Sequence, residues 1–405
     1  SYVILLPVFV ALPLGFIAIF FHDTVAALLS VKNPIIASYT WVIFLIAFAT
    51  AYFEVFYSWA RVHFKSVLGN TLKEIYPRLS IFILLLLYAA NTIDLDVFFG
   101  LLVGFYYLRL LLMIRIAFRI QSPKFSWQKP KNLTELIRYS LYLVLAASAG
   151  SLIIDIDKSM LPQYLDISQT GFYSVAIYTA ALIEVPGRAL FQILNPMMAK
   201  AINENNTNQL AKLYKDSSIN LLLLAGWFFL LVNGSITSLF ELLEKGYGNA
   251  IWVVLMISFG KLIAMSSGAA NTILINSKKY QTALLLTIFM AILVVIGNII
   301  FIPKYGINGA AATTLVLVVL FTFIRMAYVY TYFGSQPYGK HTFLAFSLIG
   351  IVFWGVSFVH FNVHPIWGIL LKSILITTVY ASGVIILKLS PTLHQILQNR
   401  FKNSP

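Results

Sequence analysis

Seven ionisable side chains fall well inside long apolar stretches of this chain: the cations Arg109, Arg188, Lys261, Arg325 and Lys372, and the acids Glu54 and Glu184. A charge in apolar surroundings is costly, so such residues face a polar cavity or a partner. Five cations against two acids favour an anionic ligand. Arginine grips a phosphate with two parallel charge-assisted hydrogen bonds, whereas lysine acts as a point charge, and a pyrophosphate group suits a surface holding both. Each residue also has a plainer explanation. Glu184 and Arg188 are four apart, on one helix face, and can neutralise each other. Arg109 and Arg325 can run their stems toward an interface. Lys372 lies about 10 Å from the outer end of its stretch at a rise of about 1.5 Å per residue, so it either marks a cavity mouth or reaches headgroups. Lys261 has no acid on its own helix and is the hardest to explain this way. All six histidines, His22, His63, His341, His360, His364 and His394, lie at or beyond the ends of the apolar stretches. If an ion is coupled, Glu54 and Glu184 are therefore the titratable candidates.

Other chemistry is scarce. Asp155-Ile156-Asp157 has the Asp-x-Asp form that holds metal and nucleotide-sugar in many glycosyltransferases. It ends an apolar stretch on the side expected to face away from the cytoplasm, which favours a helix-end pair held by Lys158 and water. There is no cysteine, which removes disulfides, thiolate metal sites and thiol catalysis together. Nothing in the pattern calls for a catalytic residue, a metal or a cofactor.

The elements that position these charges are apolar segments of membrane-spanning length. We read twelve: 2–21, 34–60, 79–95, 97–117, 136–156, 171–198, 219–240, 250–275, 280–302, 308–332, 341–359 and 365–387. Most hold the roughly 20 apolar residues that a helix needs to cross a hydrocarbon core about 30 Å thick. Composition agrees: 60% of residues are hydrophobic and 10% charged, against about 45–50% and 25% in soluble domains. Basic residues concentrate in alternate gaps, as with Arg61, Lys65, Lys73 and Arg78, then Arg115 to Arg138, then Lys200, Lys212 and Lys215. The intervening gaps hold only Lys32, Lys158, Lys245 and Lys304. By the positive-inside rule the rich gaps, the first residue and the C-terminal tail are cytoplasmic. The net charge of +14 is thus mostly topology signal rather than a nucleic-acid footprint.

The longest polar interruption, RIQSPKFSWQKPKNLTE at 119–135, reads as a cytoplasmic linker. The chain then divides into an N-terminal lobe of four helices at 1–118, a six-helix lobe at 136–332, and a further helix pair with the tail at 333–405. Prolines at 7, 13, 186 and 196 break spans, which is tolerated where protein or a wet cavity covers the freed carbonyls. Small residues at 264–270 and 309–314 permit close helix approach. The chain opens Ser-Tyr-Val-Ile without a basic leader, which points to a truncated or processed front end.

PKYGINGAAATT at 303–314, GFYSVAIYTAALIEVPGRALFQILNPMMAKA at 171–201, IDKSM at 156–160 and WVVLMISFGKLIAMSSG at 252–268 together resemble the polysaccharide-transporter branch of the multidrug/oligosaccharidyl-lipid/polysaccharide flippase superfamily. The resemblance implies an all-α fold of fourteen helices, two six-helix lobes around a central cavity and then a further pair, of which this chain lacks the first two. It also implies transfer of an undecaprenyl-pyrophosphate-linked oligosaccharide across the bacterial cytoplasmic membrane by alternating access. The partners implied are that lipid-linked glycan, membrane lipids and polysaccharide-assembly proteins. A drug or metabolite antiporter of the same fold is the nearest rival, since fold does not fix cargo. A membrane glycan polymerase or ligase would need catalytic groups on the outer side, where the gaps are short.

Overall fold

The computed structural model describes residues 31–63, 65, 67–121, 155–243, 246–359, 361 and 363–390. The expected span at 2–21, nearly all of the linker at 119–135, most of the span at 136–156 and the tail beyond 390 lie outside the described residues. The described part is helical throughout, and the chain is an all-α polytopic membrane protein. Among the described residues, eight helical runs are long and apolar enough to cross a membrane.

The chain divides into two compact units, Ser1–Arg138 and Tyr139–Pro405. In the first, α1 (Thr40–Val62), α2 (Val67–Glu74), α3 (Tyr76–Ala89) and α4 (Leu95–Ile120) follow one another after a one-turn lead-in at Ile35–Ser38. Asp94 starts α4, its carboxylate accepting a hydrogen bond from the Val97 amide at 2.8 Å, and Asp96 in the first turn complements the helix dipole. These two acids are therefore a helix-starting device. α1 packs on α4 through Phe53, Phe56, Tyr57 and Ala60 against Leu110, Met113 and Ala117. Helix α3 has only 14 residues, although a longer span was expected at 79–95. Asn91 takes a left-handed conformation (φ 54°) and the Thr92 hydroxyl donates to the Leu87 carbonyl, which caps the helix early.

The second unit contains α5 (residues 155–164), α6 (Ile167–Ala180), α7 (Val185–Asn203), α8 (Thr207–Glu241), α9 (Ile251–Ser266), α10 (Ala270–Asn276), α11 (Tyr280–Phe333), α12 (Lys340–Ser357) and α13 (Pro365–Ile386). Helix α8 is its axis. The Asn206 side chain accepts from the Gln209 amide to start it, and its 35 residues bury the consecutive Leu221, Leu222 and Leu223, which point to different sides. A helix apolar on all sides belongs in a core. The last two helices close on it: a side chain at Gly226 would collide with Ile349 and Tyr380. The Tyr380 hydroxyl donates to the Leu223 carbonyl at 2.9 Å, and Trp227 donates to Thr377 at 3.0 Å.

Three breaks interrupt these helices. A 3-10 turn, Ala181–Glu184, separates α6 from α7 and places Pro186 in the first turn of α7, where its missing N–H costs nothing. The long run α11 is two limbs joined at Gly306 (φ 59°), next to Pro303, as the PKYGING turn predicts. The span expected at 250–275 is divided at 267–269. There Gly268 has φ +56°, and a Cβ would come within 2.7 Å of the Ser218 amide nitrogen. Small residues at 264–270 thus provide both a close approach to α8 and a change of helix direction.

Candidate functional site

Glu54 and Arg109, the charges set inside spans of the first unit, are answered locally. Lys73 on α2 pairs with Glu54 on α1 at 2.7 Å. Arg109 is 5% exposed, which corrects the expectation that it could reach an interface. Its guanidinium lies 4.2 Å from the Phe53 ring centroid and 4.8 Å from that of Tyr106, and donates weakly to Thr50 at 3.4 Å. Two aromatic faces stabilise a cation well when water is excluded.

In the second unit the 3-10 turn carries Glu184 toward α9, where it meets Lys261 at 2.8 Å. This corrects the expected Glu184–Arg188 pair. The change from 3-10 to α-helix just after Glu184 spoils the i, i+4 stacking, and a lysine lies within ion-pair reach on the facing helix. Arg188 is exposed and Lys372 half-buried, and neither has a hydrogen-bond or ion-pair partner among the described residues.

Below Lys261, α9 presents Ala264 and Met265 to a cavity of about 470 Å³ lined also by Phe191 and Asn195 of α7, Ser267 and Gly268 at the break, Asn271, Thr272 and Asn276 of α10, and Thr322 and Arg325 of α11. Arg188, Phe191 and Asn195 recur at three- and four-residue spacing, so Arg188 extends the α7 wall by one turn. The break supplies polarity without leaving backbone groups stranded: Ser218 donates to the Ser266 carbonyl at 2.5 Å, and the Ala269 amide donates to Ser217 at 3.2 Å. Ser266 also meets the Tyr338 hydroxyl at 2.6 Å, and burial pushes that phenol's pKa up. Arg325 is half-buried and does not run to an interface. One of its terminal nitrogens donates to Thr287 at 3.4 Å, while its enclosed Nε has no partner.

Asp157 is the residue that sequence reasoning misjudged. Asp155 is held by Lys158 at 2.9 Å, as expected, but Asp157 is 2% exposed. Its Oδ2 accepts from Tyr173 at 2.6 Å and Thr314 at 2.8 Å, and its Oδ1 accepts from Asn298 at 2.6 Å. The Asn298 Oδ1 is buried without a partner. The node joins α5, α6 and both limbs of α11. A usable signal existed: residues two apart point to opposite helix sides, so Asp155 and Asp157 cannot share one environment. Among the described residues no cluster of three or more His, Asp or Glu side chains offers a metal site.

Broken helices, cations set inside spans and a polar cavity between helices define a polytopic membrane protein with a polar site inside the second unit. Comparison with known proteins agrees. No family model matches the chain. It is 22% identical over 182 residues to the capsular polysaccharide biosynthesis protein CapF of Staphylococcus aureus, covering 44% of this chain and 46% of that protein. It is 22% identical over 282 residues to the probable low-salt glycan biosynthesis flippase Agl15 of Haloferax volcanii, covering 66% of this chain and 59% of that one. The chain thus spans about half the length of the curated relatives it matches. Its fold matches the lipid II flippase MurJ in an inward closed conformation, with a TM-score of 0.73, 14% identity, and 94% of this chain and 81% of that chain covered. In sequence and in fold the chain is a distant relative of flippases of the multidrug/oligosaccharidyl-lipid/polysaccharide superfamily.

Proposed function

We propose that this protein moves a lipid-linked glycan, with its pyrophosphate attached to an undecaprenyl carrier, from the inner to the outer leaflet of a bacterial cytoplasmic membrane by alternating access. One observation carries the reading: the membrane interior of the second unit holds Arg188, Lys261, Arg325 and Lys372, and of these only Lys261 has a carboxylate partner among the described residues. Cations kept unneutralised inside a membrane suit a transient anionic cargo. The distant relatives in capsular polysaccharide and glycan biosynthesis support the same reading. In this reading Lys261 and Arg188 engage the pyrophosphate, Glu184 holds Lys261 when the cargo is absent, and Lys372 contributes to the positive interior of the second unit. Twelve crossings, with cytoplasmic C-terminus, complete the arrangement, and polysaccharide-assembly proteins act on the product.

Glu54 and Glu184 are the titratable candidates for ion coupling, paired with Lys73 and Lys261 at 2.7 and 2.8 Å. A cargo shifts the inward and outward states only through unequal affinity for them. The test uses full-length protein in proteoliposomes, following leaflet exchange of a labelled pyrophosphate-linked oligosaccharide. Lys261→Ala combined with Arg188→Ala is expected to lower the rate at least tenfold. Unchanged exchange at equal incorporation would count against the assignment, and export of a small cation without lipid movement would favour the antiporter.

A further inference from the structure

Arg325 poses a problem that the Lys261–Glu184 pair does not solve. It is an enclosed cation with a single long hydrogen bond, to Thr287, a buried Nε lacking a partner, and no carboxylate within ion-pair distance among the described residues. Arg109, the comparable buried arginine, rests between two aromatic rings; among the described residues no such ring contact is made by Arg325. A guanidinium left in this state is costly in a membrane interior unless a ligand completes it.

What surrounds Arg325 has a definite chemistry. Asn195, Asn271 and Asn276 each bring an amide with both donor and acceptor, and Ser267 and Thr272 bring hydroxyls. Thr272 already donates to Asn195 at 3.2 Å, which orients the Asn195 amide, and Asn276 donates to the Thr272 carbonyl at 3.0 Å. Phe191, Met265 and Ile275 form the apolar part of the wall. A flat apolar patch, several two-way hydrogen-bonding groups and one forked cation are complementary to a sugar ring that bears an oxyanion. The cavity, at about 470 Å³, lies in the range of small-molecule sites. It is also distinct from the Lys261–Glu184 pair, since Met265 is one turn further along α9 than Lys261 and stands between them on that face, with Gly187 pressed against its sulfur.

We infer that the Arg325 cavity is a second anion subsite, taking an oxyanion carried on a polyhydroxylated ligand, either the carboxylate of an acidic sugar in the glycan or a phosphate of its carrier. The identity of the ligand rests on the flippase reading; the chemistry of the cavity does not. Arg325 would then select among glycans, favouring acidic units over neutral ones of the same size.

The experiment is a ligand-detected NMR titration of the full-length protein in lipid nanodiscs with three soluble probes: a glucuronic acid-containing disaccharide, its neutral glucose counterpart, and inorganic pyrophosphate. Arg325→Gln is expected to weaken the acidic probe at least tenfold, Arg325→Lys to weaken it less, and the neutral probe to bind poorly throughout. Dependence of the acidic disaccharide on Arg325 assigns the site to the glycan; dependence of pyrophosphate alone assigns it to the carrier. The inference is overturned if neither anion responds to Arg325→Gln, or if the neutral disaccharide binds as well as the acidic one. Should Arg325→Gln fail to fold, Asn271→Asp at the exposed rim of the cavity adds an opposing charge and is expected to weaken the same anion by a similar factor. Binding is read without transport, so a protein that holds the anion through Arg325 yet moves no lipid-linked glycan would refute the proposed function and leave this subsite standing.

Discussion

Removing the Tyr173 hydroxyl tests whether the buried Asp157 node holds the second unit together. The hydroxyl donates to Asp157 Oδ2 at 2.6 Å, and the ring is fully buried, so Tyr173→Phe deletes one oxygen and keeps the packing. Hydrogen bonds to charged groups contribute about 1.5–3 kcal/mol. The carboxylate oxygen would keep its bond from Thr314, at 2.8 Å, and the other oxygen its bond from Asn298. The cost should therefore fall toward the lower end of that range, about 1.5–2 kcal/mol. The measurement is reversible unfolding in mixed detergent micelles, run as a double-mutant cycle with Asp157→Asn. Asparagine keeps the shape but turns one acceptor into a donor facing donors, so the Tyr173 bond should lose much of its worth in that background. A coupling of about 1 kcal/mol or more is expected. Strictly additive losses would refute the reasoning, because they would mean that the phenol stabilises the unit by some route other than this carboxylate.

Three further outcomes are expected. Gly268→Ala must place a Cβ 2.7 Å from the Ser218 amide nitrogen in a left-handed conformation, and should destabilise the second unit by about 2–4 kcal/mol, read by the same unfolding assay; a neutral result would mean that the helix break is not held against α8. Glu184→Gln removes the competitor for Lys261 and should tighten binding of inorganic pyrophosphate about tenfold, roughly 1.4 kcal/mol, by titration in nanodiscs; weaker binding would make Glu184 part of the cargo site instead. Asp94→Ala removes the cap of α4 and should cost about 1 kcal/mol, seen as faster amide exchange confined to residues 95–98.

The sequence made the helices easy to place and their interruptions hard to interpret. Apolar length alone locates α4 and α13 to within a few residues, because crossing a bilayer imposes one dominant requirement, whereas α8 begins twelve residues before its apolar stretch. The early end of α3 depends on Asn91 adopting a left-handed conformation, which an apolar run ending in AANTIDLD permits without requiring. Small residues at 264–270 carry a packing signal, but a packing stripe and a helix break use the same residue types, and only Ser217 and Ser218, about fifty positions earlier, decide between them. The same distance hides the partners of the charges. Tyr106, three residues before Arg109 on the same helix face, was a visible half of the aromatic sandwich; Phe53 was not. Lys261 lacked an acid on its own helix, and its partner lies across a helix junction whose 3-10 geometry the sequence does not announce.

The two limbs of α11 are joined covalently at Gly306, pressed together where Gly309 meets the Phe301 carbonyl, bridged near that bend by Asp157 through Asn298 and Thr314, and linked again by Arg325 and Thr287. For spectroscopy this makes the hairpin a built-in ruler. Ile296 and Val316 are 47% and 61% exposed on its two limbs, so probes attached there would report one fixed separation while other parts of the molecule rearrange. A distance that broadens at this pair would signal a damaged protein, and a constant one would calibrate every other distance recorded in the same sample.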